Sequence, residues 1–149
     1  MAGPNLSSAF SLSLLLCSLL ASPSFFELCN PGDKKVLLAI KKALNDPYIL
    51  ASSTADTDCC HWYNVACDDT THRIIQFTIF DATLSGQISA AVSNLPYLQM
   101  IDLNRLPHIT SVISSSLGKL KNLTFVRLSY LNLTGVIPPF LGNLSKFVS

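Results

Sequence analysis

Excess charge of one sign is missing from this sequence: ten Lys and Arg stand against nine Asp and Glu, for a formal net charge of +1. That balance provides no electrostatic footing for nucleic acid, whose phosphates recruit concentrated cations. Also missing is an apolar run long enough to span a bilayer. The nearest candidate, Phe10–Leu20, is followed by the small residues Ala21, Ser22 and Ser24, the pattern of a secretory signal. No Lys or Arg precedes it, so its first segment carries only the terminal amine. The expectation is a leader over residues 1–26, cut between Ala21 and Glu27, with an uncleaved anchor as the alternative. A nucleophile with its base is missing too. His61, His72 and His108 are scattered, and none has a Ser or Cys partner placed for attack. Asp68 and Asp69 are adjacent, so their side chains diverge and suit a turn. No enzyme chemistry and no cofactor is expected.

Cysteine is sparse, and its count is informative. Cys17 lies in the leader; Cys29, Cys59, Cys60 and Cys67 remain. An even number in an exported chain reads as two disulfides. Cys59, Cys60, His61 and Cys67 could suggest zinc, but the spacing lacks two separated ligand pairs, so no metal is expected. Three sequons, at Asn122, Asn132 and Asn143, agree with export and are candidate glycosylation sites.

What the chain does have is a repeat. Ile74, Leu98, Leu123 and Phe147 open successive units 24 or 25 residues apart, and the fourth unit has only begun at Ser149. Ile79, Leu103 and Leu128 recur at one offset, then Leu84, Ile109 and Leu133, then Ile88, Ile113 and Ile137. This period belongs to the leucine-rich repeat, an α/β solenoid in which a short strand and a return segment stack into a curved array. Such solenoids are binding scaffolds far more often than enzymes.

A solenoid exposes the core of its first repeat unless a cap covers it. Residues 27–72 should be that cap, and residues 73–149 the repeats. Asn30-Pro31-Gly32-Asp33 reads as a helix start, with Asn30 as cap and Asp33 near the positive end of the dipole. Val36, Leu37, Ile40, Ala43 and Leu44 share one helical face, and Lys34, Lys35, Lys41 and Lys42 mostly take the other. Asn45-Asp46-Pro47 ends the helix. A strand is expected near Tyr63–Ala66, with Trp62 packed under the cap.

Alternation within each repeat strand directs Phe77 and Ile79 inward and their neighbours outward. The outward set is Gln76, Thr78, Phe80 and Asp81 in the first unit, with Thr83 beyond. It is Met100, Asp102, Asn104 and Arg105 in the second, and Phe125, Arg127, Ser129 and Tyr130 in the third. Parallel stacking would gather these into one concave, protein-binding patch. Phe80, Phe125 and Tyr130 are the aromatics that core packing does not explain. Asn122 and Asn143 fall in return segments and Asn132 at the edge of the patch, so glycans should favour the first two.

The stretches Cys29–Leu38, Asn45–Tyr48, Asp58–Tyr63 and Ser85–Ile88, with the repeat ending Leu133-Thr134-Gly135-Val136-Ile137-Pro138, carry a resemblance. The chain resembles the plant polygalacturonase inhibitor proteins, whose repeats are of the plant extracellular type. The resemblance implies a secreted, cell-wall, defence-related protein without catalytic activity, whose concave face binds fungal or insect polygalacturonases, with contact to cell-wall pectin as a further possibility. It implies the disulfides Cys29–Cys59 and Cys60–Cys67.

Departures from the pattern are visible. The repeat asparagine is absent at Ala82, Leu106 and Leu131. Ser53 stands where the family has tryptophan, Asn64 where some members carry cysteine, and Ser111 where the repeat has glycine. Ser89 and Ser114 replace proline. Full-length members continue through more repeats to a second disulfide cap, so the chain reads as truncated and weakly active. Leu117, Leu120, Val126, Leu128, Ile137, Leu141 and Leu144 are expected at its open end. The alternative is the amino-terminal fragment of a receptor ectodomain or adaptor, without inhibitory activity.

Overall fold

The computed structural model describes residues 28–144 and the backbone of 146–148. The leader expected over residues 1–26, with Cys17 and the cleavage region, lies outside the described residues. Helix α1, Pro31–Ala43, is followed by strands β1 (Val65–Cys67), β2 (Ile74–Phe80), β3 (Met100–Val112), β4 (Phe125–Thr134) and β5 (Lys146–Val148). Among the described residues no helix is long and apolar enough to cross a membrane.

Helix α1 starts where the sequence indicates. Asn30 Oδ1 accepts from the amides of Gly32 and Asp33 at 3.0 and 3.2 Å, and Pro31 occupies the first turn. Leu37, Ile40 and Leu44 are buried, whereas Val36 is half-buried and Ala43 exposed. Lys34, expected on the solvated face, is buried instead. The spacing explains it: Lys34, Leu37, Lys41 and Leu44 follow one another on a single stripe, so the stems of both lysines lie along the apolar face. Lys41 Nζ reaches out of that stripe to the Ser53 carbonyl at 2.9 Å. Asn45 and Asp46, with φ of 60° and 48°, then reverse the chain, and Asn45 Nδ2 donates to the Ser85 carbonyl at 3.3 Å.

The first strand begins two residues later than expected, at Val65 rather than Tyr63. A 3-10 helix, Cys59–His61, and a turn closed by the Val65 amide on the Trp62 carbonyl occupy the intervening backbone. Trp62 is buried under the cap, and its Nε1 donates to Thr57 Oγ1 at 2.8 Å. Asp68 performs a turn role, accepting from the Thr70 and Thr71 amides.

One five-stranded sheet runs β1-β2-β3-β4-β5, antiparallel between β1 and β2 and parallel from β2 onward. Phe77, Ile101 and Val126 stand in register, as do Ile79, Leu103 and Leu128, and these inward rows are buried. The 3-10 return segments Ala90–Asn94, Ser115–Lys119 and Pro139–Asn143 close the core on the opposite side. Ser89 and Ser114 stand in for proline as caps: each side chain accepts from the amide two residues on.

Repeat strands do not end at the concave face. Beyond a kink, β3 and β4 pair again, Thr110–Val112 against Asn132–Thr134, and Gly86 bridges Ile109. This side sheet was not anticipated. It also relocates Asn132, which sits within the side sheet rather than at the concave edge. The residues expected at an open apolar end are mostly enclosed: Leu117, Leu120, Val126, Leu128 and Leu141 are buried and Leu144 half-buried, while Ile137 is 72% exposed. Leu117, Val126 and Leu128 line one apolar core with Val92, Ile101 and Leu103, and β5 pairs with β4 beside them.

Candidate protein-binding face

Two disulfides staple the cap, Cys29 to Cys59 and Cys60 to Cys67, with Cα separations of 5.5 and 5.4 Å. The sulfurs of Cys29, Cys60 and Cys67 lie within 4.8 Å of one another, a metal-like grouping, but all three belong to these bonds. Asp58 holds the entry to the cap: its carboxylate accepts from the amides of Leu28, Cys29 and Cys60 at 2.8, 3.2 and 2.9 Å. Burial pushes its pKa up, but those three donors and nearby His61 outweigh burial and hold it below the ordinary carboxylate value.

Beside the Asn45–Ser85 bond and the β1–β2 pairing, two buried polar clusters join cap to first repeat. Asp33, buried at the start of α1, forms a bidentate pair with Arg73 (both contacts 2.8 Å) and accepts from the Ile74 amide at 3.1 Å. Arg73 lies 4.3 Å from the centroid of the Tyr97 ring, so the pair reaches the far end of the first repeat, next to the start of the second. Asn64, at the position where relatives can carry cysteine, is buried and donates from Nδ2 to the Thr78 carbonyl at 2.7 Å. The Thr78 amide donates back to the Asn64 carbonyl at 2.9 Å. These bonds orient β2, and β2 sets the register of every strand after it.

The outward side chains form three rows across β2, β3 and β4: Gln76–Met100–Phe125, Thr78–Asp102–Arg127 and Phe80–Asn104–Ser129. The middle row is occupied with itself. Arg127 Nε donates to Asp102 Oδ1 at 2.8 Å, and its terminal nitrogen pairs with Oδ2 as well. Asp102 is consequently buried, though its strand position pointed it outward, and the bond raises the Arg127 pKa further. Gln76 Nε2 donates to Thr78 Oγ1 at 3.1 Å. Phe125, read as an exposed aromatic, is half-buried, as are Met100, Asn104 and Ser129. Asn104 Oδ1 is shielded from solvent and has no hydrogen-bond partner among the described residues.

The most open part of the face lies at its upper edge. Asp81, Arg105 and Tyr130 occupy the kinks that lead from the concave sheet to the side sheet, at φ of 49°, 56° and 54°. Arg105 lies 5.5 Å from the centroid of the Phe80 ring and 3.9 Å from the Asp81 carboxylate. Phe80 and Tyr130 are exposed. The structure therefore assembles the whole outward set on one surface but divides it into an internally paired strip and an exposed edge. Sequence reasoning missed that division, because a cross-strand ion pair depends on register. It also missed a groove on the side sheet lined by Ser111, Val112, Val136 and Ile137, whose only sequence signal is a short β-branched run in each repeat. Among the sequon asparagines, Asn122 Nδ2 donates to the Pro96 carbonyl at 2.9 Å, and all three are exposed.

Comparison with known proteins places this arrangement. Residues 30–68 match the leucine rich repeat N-terminal domain. The chain is 52% identical to the polygalacturonase inhibitor of Pyrus communis over 124 residues, covering 83% of this chain and 37% of that one. It is 54% identical to the polygalacturonase inhibitor of Vitis vinifera over 120 residues, covering 80% and 36%. Among solved structures, a plant ice-binding protein superposes with a TM-score of 0.76 at 42% identity, over 79% of this chain and 39% of that one. The chain thus spans a little over a third of the length of the curated relatives it matches. In its stapled cap, repeat pattern and parallel concave sheet, the chain has the plant-type leucine-rich repeat fold, and in sequence it is similar to the polygalacturonase inhibitors.

Proposed function

We propose that the chain is a secreted, non-enzymatic cell-wall module of plant defence, with residues 1–26 as its leader, 27–72 as cap and 73–149 as repeats. Its concave face binds polygalacturonases of fungal or insect origin and obstructs their attack on pectin. The observation that carries this reading is the 52–54% identity to two proteins named as polygalacturonase inhibitors, running through both the cap and the repeats. A sheet of parallel strands with polar and aromatic side chains on one accessible face is compatible with a protein partner.

The same geometry limits the strength of binding. Strands about 4.8 Å apart make β2 to β4 a strip only about 10–15 Å wide. A standard interface takes about 800 Å² and roughly 20–30 residues from each side. The outward set falls short of that, more so because Asp102 and Arg127 satisfy each other. Weak, saturable binding follows. The test titrates the secreted chain against a panel of polygalacturonases, measuring complex formation and release of reducing ends from polygalacturonate. Saturable binding with partial inhibition is expected. Binding without inhibition would favour an adaptor of the receptor-ectodomain kind, and no binding to any enzyme of the panel would overturn the reading.

A further inference from the structure

Three successive repeats leave the concave sheet through the same left-handed backbone state, at Asp81, Arg105 and Tyr130. That region suits glycine and is tolerated by Asn and Asp, whose short polar side chains bond locally. Aspartate in the first repeat fits the rule. Arginine and tyrosine break it: each holds a Cβ and a long side chain where glycine or asparagine would be less strained. Among the described residues, Arg105 has only the exposed contacts to Asp81 and the Phe80 ring. Tyr130 is 77% exposed. The Arg105 side chain is 58% exposed, and its ionic partner Asp81, 3.9 Å away, is 65% exposed, a geometry that solvent screens.

We infer that Arg105 and Tyr130, with the Phe80 ring supporting the guanidinium, are the specificity-determining anchors of the protein-binding face, retained in strained turns because they contact the partner. The inference rests on the proposed polygalacturonase reading and names which part of that face carries the affinity. Arg and Tyr are the residue types that dominate interface energetics, and both carry much contact area for few lost rotamers. Charge also selects the partner's chemistry. The cations of the outward set are Arg105 and Arg127, and Arg127 is tied to Asp102. Arg105, whose 3.9 Å contact with Asp81 is exposed and screened, is therefore the one whose fork can turn to a partner's carboxylate, and its planar geometry favours bidentate pairing. Tyr130, one repeat along, offers a ring for an apolar ledge beside that carboxylate. The occupant is the rim of a polygalacturonase cleft presenting an acidic residue next to an apolar one.

The test separates strain from contact. Arg105→Gly and Tyr130→Gly, with Arg105→Asn and Tyr130→Asn as partners free of glycine's extra chain entropy, are made in the full chain. The Asn variants should melt a few degrees above wild type, because strain is relieved. Each of the four should bind a polygalacturonase about tenfold more weakly or worse. Asn variants that melt below wild type would overturn the strain argument. Variants that bind within twofold of a wild type that does bind would overturn the anchor assignment alone. A wild type that binds no polygalacturonase would remove the parent reading, and this inference with it.

Discussion

Replacing Asp33 by alanine should loosen the cap from the first repeat. The Asp33 side chain is 3% exposed and that of Arg73 is 22% exposed. The substitution removes both 2.8 Å contacts to Arg73 and the acceptor of the Ile74 amide, which belongs to a fully buried residue. Breaking a buried ion pair from one side costs about 3–5 kcal/mol, and a stranded buried amide about 1–3 kcal/mol. Those figures overlap, and the partly open Arg73 regains some hydration, so a net loss of about 3 kcal/mol is reasonable. Against a total stability of about 5–15 kcal/mol, that is a large fraction. Thermal melting and urea unfolding should both report it, with Tm falling by roughly 10 °C. Asp33→Asn keeps an acceptor for Ile74 and should lose about half as much. A cycle with Arg73→Met should return a coupling of about 1–2 kcal/mol. An Asp33→Ala loss under about 0.5 kcal/mol, or a coupling indistinguishable from zero, would refute the argument that this pair clamps cap to solenoid.

Further outcomes follow from the same contacts. Gly86→Ala places a methyl 2.5 Å from the Ala43 carbonyl oxygen at φ 127°, and both contact and backbone state are resisted, so denaturant unfolding should show a loss of about 2–3 kcal/mol. Asn64→Ala removes the 2.7 Å bond that closes the cap onto Thr78 and should lose about 1–3 kcal/mol, with faster amide exchange at Thr78; unchanged exchange would show the bond to be dispensable. The lowered pKa of Asp58 means that its contribution is present above the unfolded value of about 3.9 and is lost as pH falls through the folded value. Asp56 and Asp68 shift in the same direction, so the acid limb is a sum, and Asp58→Asn should make it shallower below about pH 4; an unaltered limb would assign acid sensitivity to the other two.

Much of the architecture was legible because its signals are local or periodic. Asn30-Pro31 marks a helix start by capping chemistry alone, and the recurrence of Ile79, Leu103 and Leu128 sets strands in parallel register without any knowledge of neighbours. Lys34 was misplaced because a count of charged residues does not reveal how far the buried face wraps around α1. The side sheet was missed because Thr110–Val112 and Asn132–Thr134 pair after a register shift, and each is too short to declare itself.

The sequence by itself determined a capped solenoid with a concave face and the identity of the side chains directed outward, because period and alternation act along the chain. Only the tertiary structure decided which of those side chains remain available. Arg127 and Asp102 neutralise each other because they are 25 residues apart and one strand away, a contact that stacking creates. The cap is clamped by Asp33 and Arg73, 40 residues apart, for the same reason. Arg105 and Tyr130 stand at the exposed edge in left-handed turns because the chain must bend from one sheet to the other at those positions, whatever residue is there.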